Sequence, residues 1–228
     1  MAVIRTKDLK KTYNSSMVPV HALNGIDLTI EKGEFTALVG PSGSGKTTLL
    51  NLIGGLDQPT SGKVWVEETE ITQLKGNDLI DFRLKSIGFV FQAYNLIPVL
   101  TAQENIEFIM LLQKRPKKER QQRALELLNA VGLKDRAHNR PGQLSGGQQQ
   151  RVAVARALAA KPKFVLADEP TANLDSTSTA NLLDLMAELN QQEKVTFIFS
   201  THDQRVIDRA RRVVWLEDGR ILSDETKM

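Results

Sequence analysis

A glycine-rich octapeptide near residue 40 has the residue types that bind phosphate. Gly40-Pro41-Ser42-Gly43-Ser44-Gly45-Lys46-Thr47 fits the pattern G-x-x-x-x-G-K-[ST]. Glycines let the backbone turn so that successive N–H groups face phosphate oxygens, and a helix that follows directs its positive end at the same anion. Lys46 can place its charge against the β and γ phosphates, and the Thr47 hydroxyl can ligate Mg²⁺. An ordinary glycine-rich turn is the weaker interpretation, because an apolar strand pattern precedes the loop and a helix pattern follows it.

Two adjacent carboxylates follow a short apolar run later in the chain. Residues 164–167 have the pattern of a strand buried on both faces, and Asp168 and Glu169 come directly after it. Open α/β sheets bind their ligands at the carboxyl ends of strands. Asp168 is therefore the candidate for the metal shell, and Glu169 is the candidate for polarising an attacking water. Taken alone, the pair could equally be a strand-to-loop feature without function, and it is the phosphate loop that favours the chemical interpretation.

The hydrophobic pattern predicts the elements that must position these motifs. A helix is predicted over 47–53, and a helical pattern covers about 101–160, where Thr101 and Glu104 fit a capping box. Strands are predicted over 3–9, 26–30, 35–39, 64–66, 87–91, 164–167, 195–199 and 213–216. Strands that alternate with helices predict an α/β core with a mostly parallel sheet. The early strands are predicted to form an antiparallel sheet, and the helical middle is predicted to be an insert.

The composition is that of a globular chain without disulfides. Of the 228 residues, 41% are hydrophobic and 25% are charged, which argues against disorder. Cysteine is absent, so a disulfide scaffold, a thiolate metal site and a cysteine nucleophile are excluded. No apolar run approaches the ~20 residues that span a bilayer, so we expect a chain that does not itself cross a membrane. The formal net charge of +3 is too small to argue for nucleic-acid binding.

A pentapeptide between the two motifs carries a family resemblance. Leu144-Ser145-Gly146-Gly147-Gln148 resembles the signature of the nucleotide-binding subunits of ABC (ATP-binding cassette) transporters, and the resemblance extends over nearly the whole chain. It implies a P-loop NTPase core with a mostly parallel sheet, an N-terminal antiparallel β subdomain and an inserted all-α subdomain. The implied single domain spans 1–228. Its RecA-like core and β subdomain take about 1–91 and 161–228, and its helical signature subdomain takes about 92–160.

The resemblance also assigns roles to individual residues. Lys46, Gln92, Glu169 and His202 are implied to be catalytic, and Thr47, Gln92 and Asp168 are implied to hold Mg²⁺. The ring of Tyr13 is implied to stack on adenine. The other implied contacts of ATP are Gly40, Pro41, Ser42, Gly43, Ser44, Gly45, Lys46, Thr47, Thr48, Ser145, Gly146, Gly147, Gln148 and Asp175. His21 and His138 match no catalytic position of the family.

The signature has its own anion-binding logic. Ser145, Gly146 and Gly147 present a hydroxyl and backbone N–H groups at the start of a helix predicted to run from about Gln149. One phosphate cannot easily sit on two helix starts about 100 residues apart in one small domain. The family's solution is a head-to-tail dimer, in which the signature of one copy closes over the ATP held by the loop of the other.

Finer features resemble one subfamily. The stretches 54–62, 140–143 and 168–175 resemble the lipoprotein-releasing and macrolide-export ATPases. The implied partners are a second copy and an integral membrane permease with few spans, docked near residues 96–112 at the cytoplasmic face of the membrane. A many-span importer or exporter remains an alternative partner. A non-transport ATPase of the family is the other alternative, although the chain has no room for the coiled coils of the DNA-repair members.

Overall fold

The structure, a computed structural model, describes residues 1–14 and 18–227 of the chain. In chain order its strands and helices are β1 (Ala2–Tyr13), β2 (Val20–Glu31), β3 (Phe35–Val39), α1 (Lys46–Ile53), β4 (Ser61–Val66), β5 (Thr69–Glu70), α2 (Gly76–Ser86), β6 (Ile87–Val90), α3 (Ala102–Leu112), α4 (Lys117–Ala130), α5 (Gly146–Ala159), β7 (Phe164–Asp168), α6 (Ser176–Glu193), β8 (Thr196–Thr201), α7 (Gln204–Arg209), β9 (Arg212–Glu217) and β10 (Arg220–Thr226). None of the described helices is both long enough and apolar enough to span a membrane.

The strands that the structure describes form two sheets. The first is antiparallel, with the strand order β2-β1-β4-β5. The second has the order β10-β9-β3-β8-β7-β6, in which β9, β3, β8, β7 and β6 are parallel and β10 pairs antiparallel with β9 at one edge. Only β8 separates β3 from β7. The loop after β3 and the carboxylates at the end of β7 therefore lie at the same edge of the parallel sheet.

Alternate residues of the parallel strands face two different apolar clusters. On one face, Leu38, Leu166 and Ile198 pack with α1 and the antiparallel sheet. On the other face, Phe197 and Phe199 pack in a cluster formed largely by helices α3 to α6. Burial on both faces explains why these strands are continuous apolar runs rather than alternating ones. Helix α1, which starts at the glycine-rich loop, packs between the two sheets.

The predicted fold class and element types are confirmed, and several boundaries are corrected. Strand β1 continues past residue 9 to Tyr13. Helix α5 begins at Gly146 rather than at Gln149, because Ser145 caps it in a reciprocal capping box with Gln148. The capping box of Thr101 with Glu104 at the start of α3 is confirmed. The sequence prediction contains no counterpart of helices α2, α6 and α7.

Candidate active site

At two positions of the loop between β3 and α1 there is no space for a side chain, so these positions require glycine. A Cβ on Gly40 would lie 2.0 Å from the Leu216 carbonyl oxygen, and one on Gly45 would lie 2.5 Å from the Ala22 carbonyl oxygen. Gly45 also adopts a left-handed conformation with φ 99° directly before α1. These contacts press the loop against β9 and β2. The first N–H groups of α1, which have no partner within the helix, are consequently available at the loop.

Lys46 lies inside this loop. Its ammonium group donates hydrogen bonds to the carbonyl oxygens of Gly40 and Pro41 at 2.8 and 2.9 Å. The residue is only 8% exposed. Burial lowers the pKa of the Lys46 ammonium, while the charges of Glu169 and Asp168 act in the opposite direction. The cation is thus placed where an anion bound by the loop would meet it.

The carboxylates at the end of β7 face the loop. The Thr47 hydroxyl donates to Asp168 Oδ1 at 3.1 Å. Glu169 Oε1 lies 2.8 Å from His202 Nδ1, and Glu169 Oε2 accepts a hydrogen bond from the Thr201 hydroxyl at 3.3 Å. Glu169 adopts a left-handed φ of 45°, which is uncommon for a non-glycine residue. Acid, hydroxyl and imidazole are therefore gathered at one end of the loop.

A cleft of about 750 Å³ joins these groups to the end of β1. Its lining contains Tyr13, residues 41–43, residues 45–48, Gln92, Glu169 and His202, all of which the sequence prediction had selected. Val20, His21 and Ala22 complete the lining. Sequence reasoning missed His21. No local sequence pattern marks it, because it is the pairing of β1 with β2 that sets His21 opposite Thr12, with Nδ1 3.1 Å from the Thr12 hydroxyl.

The signature residues 145–148 and Asp175 lie apart from the described lining of this cleft. Gly147 is next to Ser178, since a Cβ on that glycine would lie 3.2 Å from the Ser178 hydroxyl. Asp175 caps α6 by accepting hydrogen bonds from the N–H and the hydroxyl of Ser178 at 2.8 and 2.7 Å. The signature thus lies next to Asp175 at the start of α6. The structure therefore divides the predicted site residues between the cleft and this second place.

The donors beside the loop fit a magnesium ion. Mg²⁺ prefers hard oxygen ligands and usually takes only one or two carboxylates from the protein, leaving its other positions to water and phosphate. The hydroxyl of Thr47 and the carboxylate of Asp168 converge within 3.1 Å and are such ligands. Gln92 brings a carboxamide to the same cleft, and its backbone carbonyl accepts a hydrogen bond from the Asn173 side chain at 2.9 Å.

Comparison with known proteins finds one family. The family model described as ABC transporter matches residues 23–172. The macrolide export ATP-binding/permease protein MacB of Hyphomonas neptunium is 48% identical over 97% of this chain, which spans 34% of that protein. The lipoprotein-releasing system ATP-binding protein LolD of Legionella pneumophila is 42% identical over 98% of both chains. The cassette MJ0796 of Methanocaldococcus jannaschii, solved as a dimer in a post-hydrolysis state with ADP and Pi, has a TM-score of 0.90 and 42% identity, covering 99% of each chain.

Proposed function

The chain belongs to the ABC transporter family, and on this premise we propose that it is an ATP-binding subunit that hydrolyses Mg-ATP to drive a membrane permease. The observation that carries the proposal is the meeting of Tyr13, the glycine-rich loop and Glu169 at one cleft, where Thr47 is hydrogen-bonded to Asp168. The loop supplies donors and positive charge for a triphosphate, and Tyr13 supplies a ring for a base. A cleft with an aromatic group at one end and phosphate-binding groups at the other suits a nucleotide.

We assign the chemical step to groups at the end of β7. When bound by Thr47, Asp168 and Gln92, Mg²⁺ would supply positive charge that neutralises phosphate oxygens. Glu169 would orient a water molecule and accept its proton as the water oxygen attacks the γ phosphorus. The bond from that phosphorus to the bridging oxygen breaks, and ADP and phosphate are released. Lys46 and His202 would stabilise charge on the phosphoryl group during the transfer.

We further assign the signature to the ATP of a second copy. Ser145 is exposed and caps α5, whose free N–H groups form an anion-binding helix start. This start is separate from the described lining of the cleft that holds the phosphate loop. A head-to-tail pair of chains would set the signature of each over the cleft of the other. The dimer of the related cassette MJ0796 with ADP and Pi supports that arrangement.

Replacing Ser145 with arginine tests this sandwich. The long side chain would occupy the space of the opposite γ phosphate, so we expect phosphate release to fall about a hundredfold while single-copy ATP binding is kept. Loss of the helix cap should lower the free energy of unfolding by only about 1 kcal/mol. Phosphate release and equilibrium ATP binding are the measurements, with Ser223→Arg on β10 as the control. A Ser145→Arg variant with parent turnover would contradict the sandwich.

An apolar groove near Gln92 is the proposed permease site. It has a volume of about 550 Å³ and lies between α2, β6, α3 and α5. Its apolar lining includes Ile80, Leu84, Phe89, Ile97, Phe108 and Leu112. Three of these six come from the surface at 96–112 that the resemblance implied, and the others come from α2 and β6. An amphipathic helix can lay its apolar face into such a groove, so we assign it to a cytoplasmic helix of the permease.

The groove is connected to the cleft by a hydrogen-bonded loop. Arg156 on α5 lines the groove and donates to the carbonyl oxygens of Tyr94, at 2.9 Å, and of Asn95. These two residues follow Gln92, which lines the cleft. A change at the γ phosphate could therefore move Gln92 and the groove wall together, which gives hydrolysis a route to the permease.

Two adjacent leucines at the end of α3 allow a matched test of this groove. Leu111 and Leu112 are each 49% exposed, but only Leu112 lines the groove. Leu112→Glu would place a carboxylate against the apolar permease helix, so we expect at least a tenfold loss of permease capture. Leu111→Glu should leave permease capture within about twofold of the parent. Capture is measured by affinity purification with Mg-ATP from detergent-solubilised host membranes, and equal loss with both variants would contradict the assignment.

The identity of the captured permease tests the subfamily. The similarity to the lipoprotein-releasing protein LolD and the macrolide export protein MacB supports this subfamily, and we assign to it a permease of the mechanical-transmission type, with few spans and a large extracytoplasmic domain. Mass spectrometry of the captured protein should find such a chain. A many-span permease would overturn the subfamily while leaving the ATPase mechanism in place. Capture of ribosomal or DNA-bound proteins alone would overturn the transport role.

A further inference from the structure

The end of β1 is hydrogen-bonded to a segment that begins four positions after the end of α1. This segment, residues 57–60, belongs to the stretch 54–62 that the sequence singled out, and the proposed function gives it no role. The N–H of Thr12 donates to the hydroxyl of Thr60 at 2.9 Å, and the N–H of Thr60 donates to the carbonyl of Lys10 at 2.9 Å. Because Tyr13 is the next residue of β1, these bonds set its height relative to α1.

Asp57 joins the side chains at this tether. Its Oδ2 accepts the hydroxyl of Tyr13 at 2.9 Å, and its Oδ1 accepts the ammonium of Lys11 at 2.7 Å. Lys11 also donates to the carbonyl of Gln58 at 2.7 Å. Burial alone would raise the pKa of Asp57, but hydrogen bonds from Lys11 and Tyr13 outweigh it and lower the pKa overall. The carboxylate is therefore ionised at neutral pH and makes charge-assisted hydrogen bonds.

The ammonium of Lys11 lies over the Tyr13 ring. The ammonium of Lys11 lies 4.7 Å from the ring centroid, which is a cation–π distance. Tyr13 lines the cleft, whereas Lys11 does not. A cation of the chain itself thus contacts the ring, while Tyr13 borders the cleft and can contact a ligand there.

Asp57 and the glycine-rich loop are joined to the same helix, α1. The glycine-rich loop is at the N-terminal end of α1, and residue 57 is four positions beyond its last residue, Ile53. The N–H of Asp57 donates to the carbonyl of Asn51 in α1 at 3.3 Å, and Thr48 in the first turn of α1 interacts with the Tyr13 hydroxyl. The Tyr13 ring is consequently held against the same helix that begins at the phosphate loop.

We propose that Asp57, held by Lys11, is a positioning residue for Tyr13 and thereby sets the affinity of the cleft for the base of a nucleotide. The inference rests on the proposed function, in which Tyr13 stacks on adenine. Asp57 is not part of the described lining of the cleft, so it acts through the phenol. Its removal should therefore weaken binding of a ligand that carries a base and spare a ligand that consists of phosphates alone.

A double-mutant cycle on the phenol–carboxylate bond tests the proposal. Tyr13→Phe keeps the stacking ring and removes the hydroxyl, and Asp57→Ala removes the acceptor of the same bond. We expect each change to weaken Mg-ADP binding about fivefold and the double change to weaken it by less than the product of the two, because both remove the Tyr13–Asp57 hydrogen bond, while Asp57→Ala also removes the partner of Lys11. Binding of Mg-pyrophosphate should stay within about twofold of the parent in all three proteins. Isothermal titration calorimetry measures both ligands, and neither is hydrolysed by the γ-phosphate reaction.

The controls separate this inference from the function on which it rests. Asp184→Ala removes the carboxylate on α6 that lies 2.8 Å from the Arg209 guanidinium on α7. This change should alter the affinity for neither Mg-ADP nor Mg-pyrophosphate. Tyr13→Ala should weaken Mg-ADP about tenfold or more by loss of stacking. Parent ADP affinity in Tyr13→Ala would overturn the stacking role itself. A loss in Tyr13→Ala but not in Asp57→Ala, an equal loss of pyrophosphate binding, or additive effects in the cycle would each overturn the role of Asp57 alone.

Discussion

Replacing Lys46 with alanine should remove most of the ATP binding, at least about a hundredfold in affinity. The ammonium group is buried in the loop and sits 2.8 Å from the Gly40 carbonyl oxygen, so its charge acts at short range in a poorly solvated place. Hydrogen bonds to charged groups contribute about 1.5–3 kcal/mol each, and one ammonium can reach two phosphates. Equilibrium binding of ATP, followed by calorimetry, is the measurement.

The control for this variant is a lysine of ordinary exposure. Lys63 on β4 is paired with Glu70 on the antiparallel sheet, at 3.4 Å, and its replacement by alanine should leave ATP affinity within about twofold. Thermal unfolding of Lys46→Ala should show a folded protein, since the carbonyl oxygens of Gly40 and Pro41 can bind water instead. Unchanged ATP affinity in a folded Lys46→Ala variant would refute the phosphate-loop assignment.

Replacing Glu169 with glutamine should stop hydrolysis while keeping ATP bound. Glutamine has the same shape and can still accept the hydrogen bond from the Thr201 hydroxyl, but it cannot take a proton from water. We expect phosphate release to fall about 10²–10⁴-fold, which is the range for removal of a general base. Because the γ phosphate is not cleaved, two copies should accumulate as a dimer with Mg-ATP. Phosphate release and light scattering after size exclusion measure these two effects.

The dimer and the hydrolysis results answer different questions. Glu217→Gln, an exposed change on β9, should leave phosphate release and the extent of dimer formation unchanged and serves as the control. Hydrolysis at the parent rate in Glu169→Gln would exclude Glu169 as the base. Slow hydrolysis with bound ATP but no dimer would keep the base and argue against the sandwich.

Local motifs are what the sequence could predict well. The phosphate loop depends on glycine conformations and a following helix, both of which are encoded within a few residues. The same holds for Asp168, which follows a run of apolar residues that only a doubly buried strand requires. The start of α5 was placed three residues too late, because two glycines after Ser145 suggest a loop. The reciprocal capping of Ser145 by Gln148 offsets their poor helix propensity.

Contacts between distant parts of the chain are what the sequence could not show. His21 reaches the cleft because the register of β1 with β2 sets it opposite Thr12. Asp57 meets Tyr13 across 44 positions of the chain, and no local pattern predicts such a contact. The groove beside Gln92 is likewise assembled from α2, β6, α3 and α5.

By itself, the sequence determined the fold class, the phosphate loop, the acidic pair and the family, because each depends on local spacing or on a contiguous motif. Only the tertiary structure decided which of the selected residues share a cleft. It set Tyr13, the loop and Glu169 together and left residues 145–148 and Asp175 in a separate place. The physical reason is that strand order and the packing of α1 between two sheets bring sequence-distant groups together, and neither has a local signal.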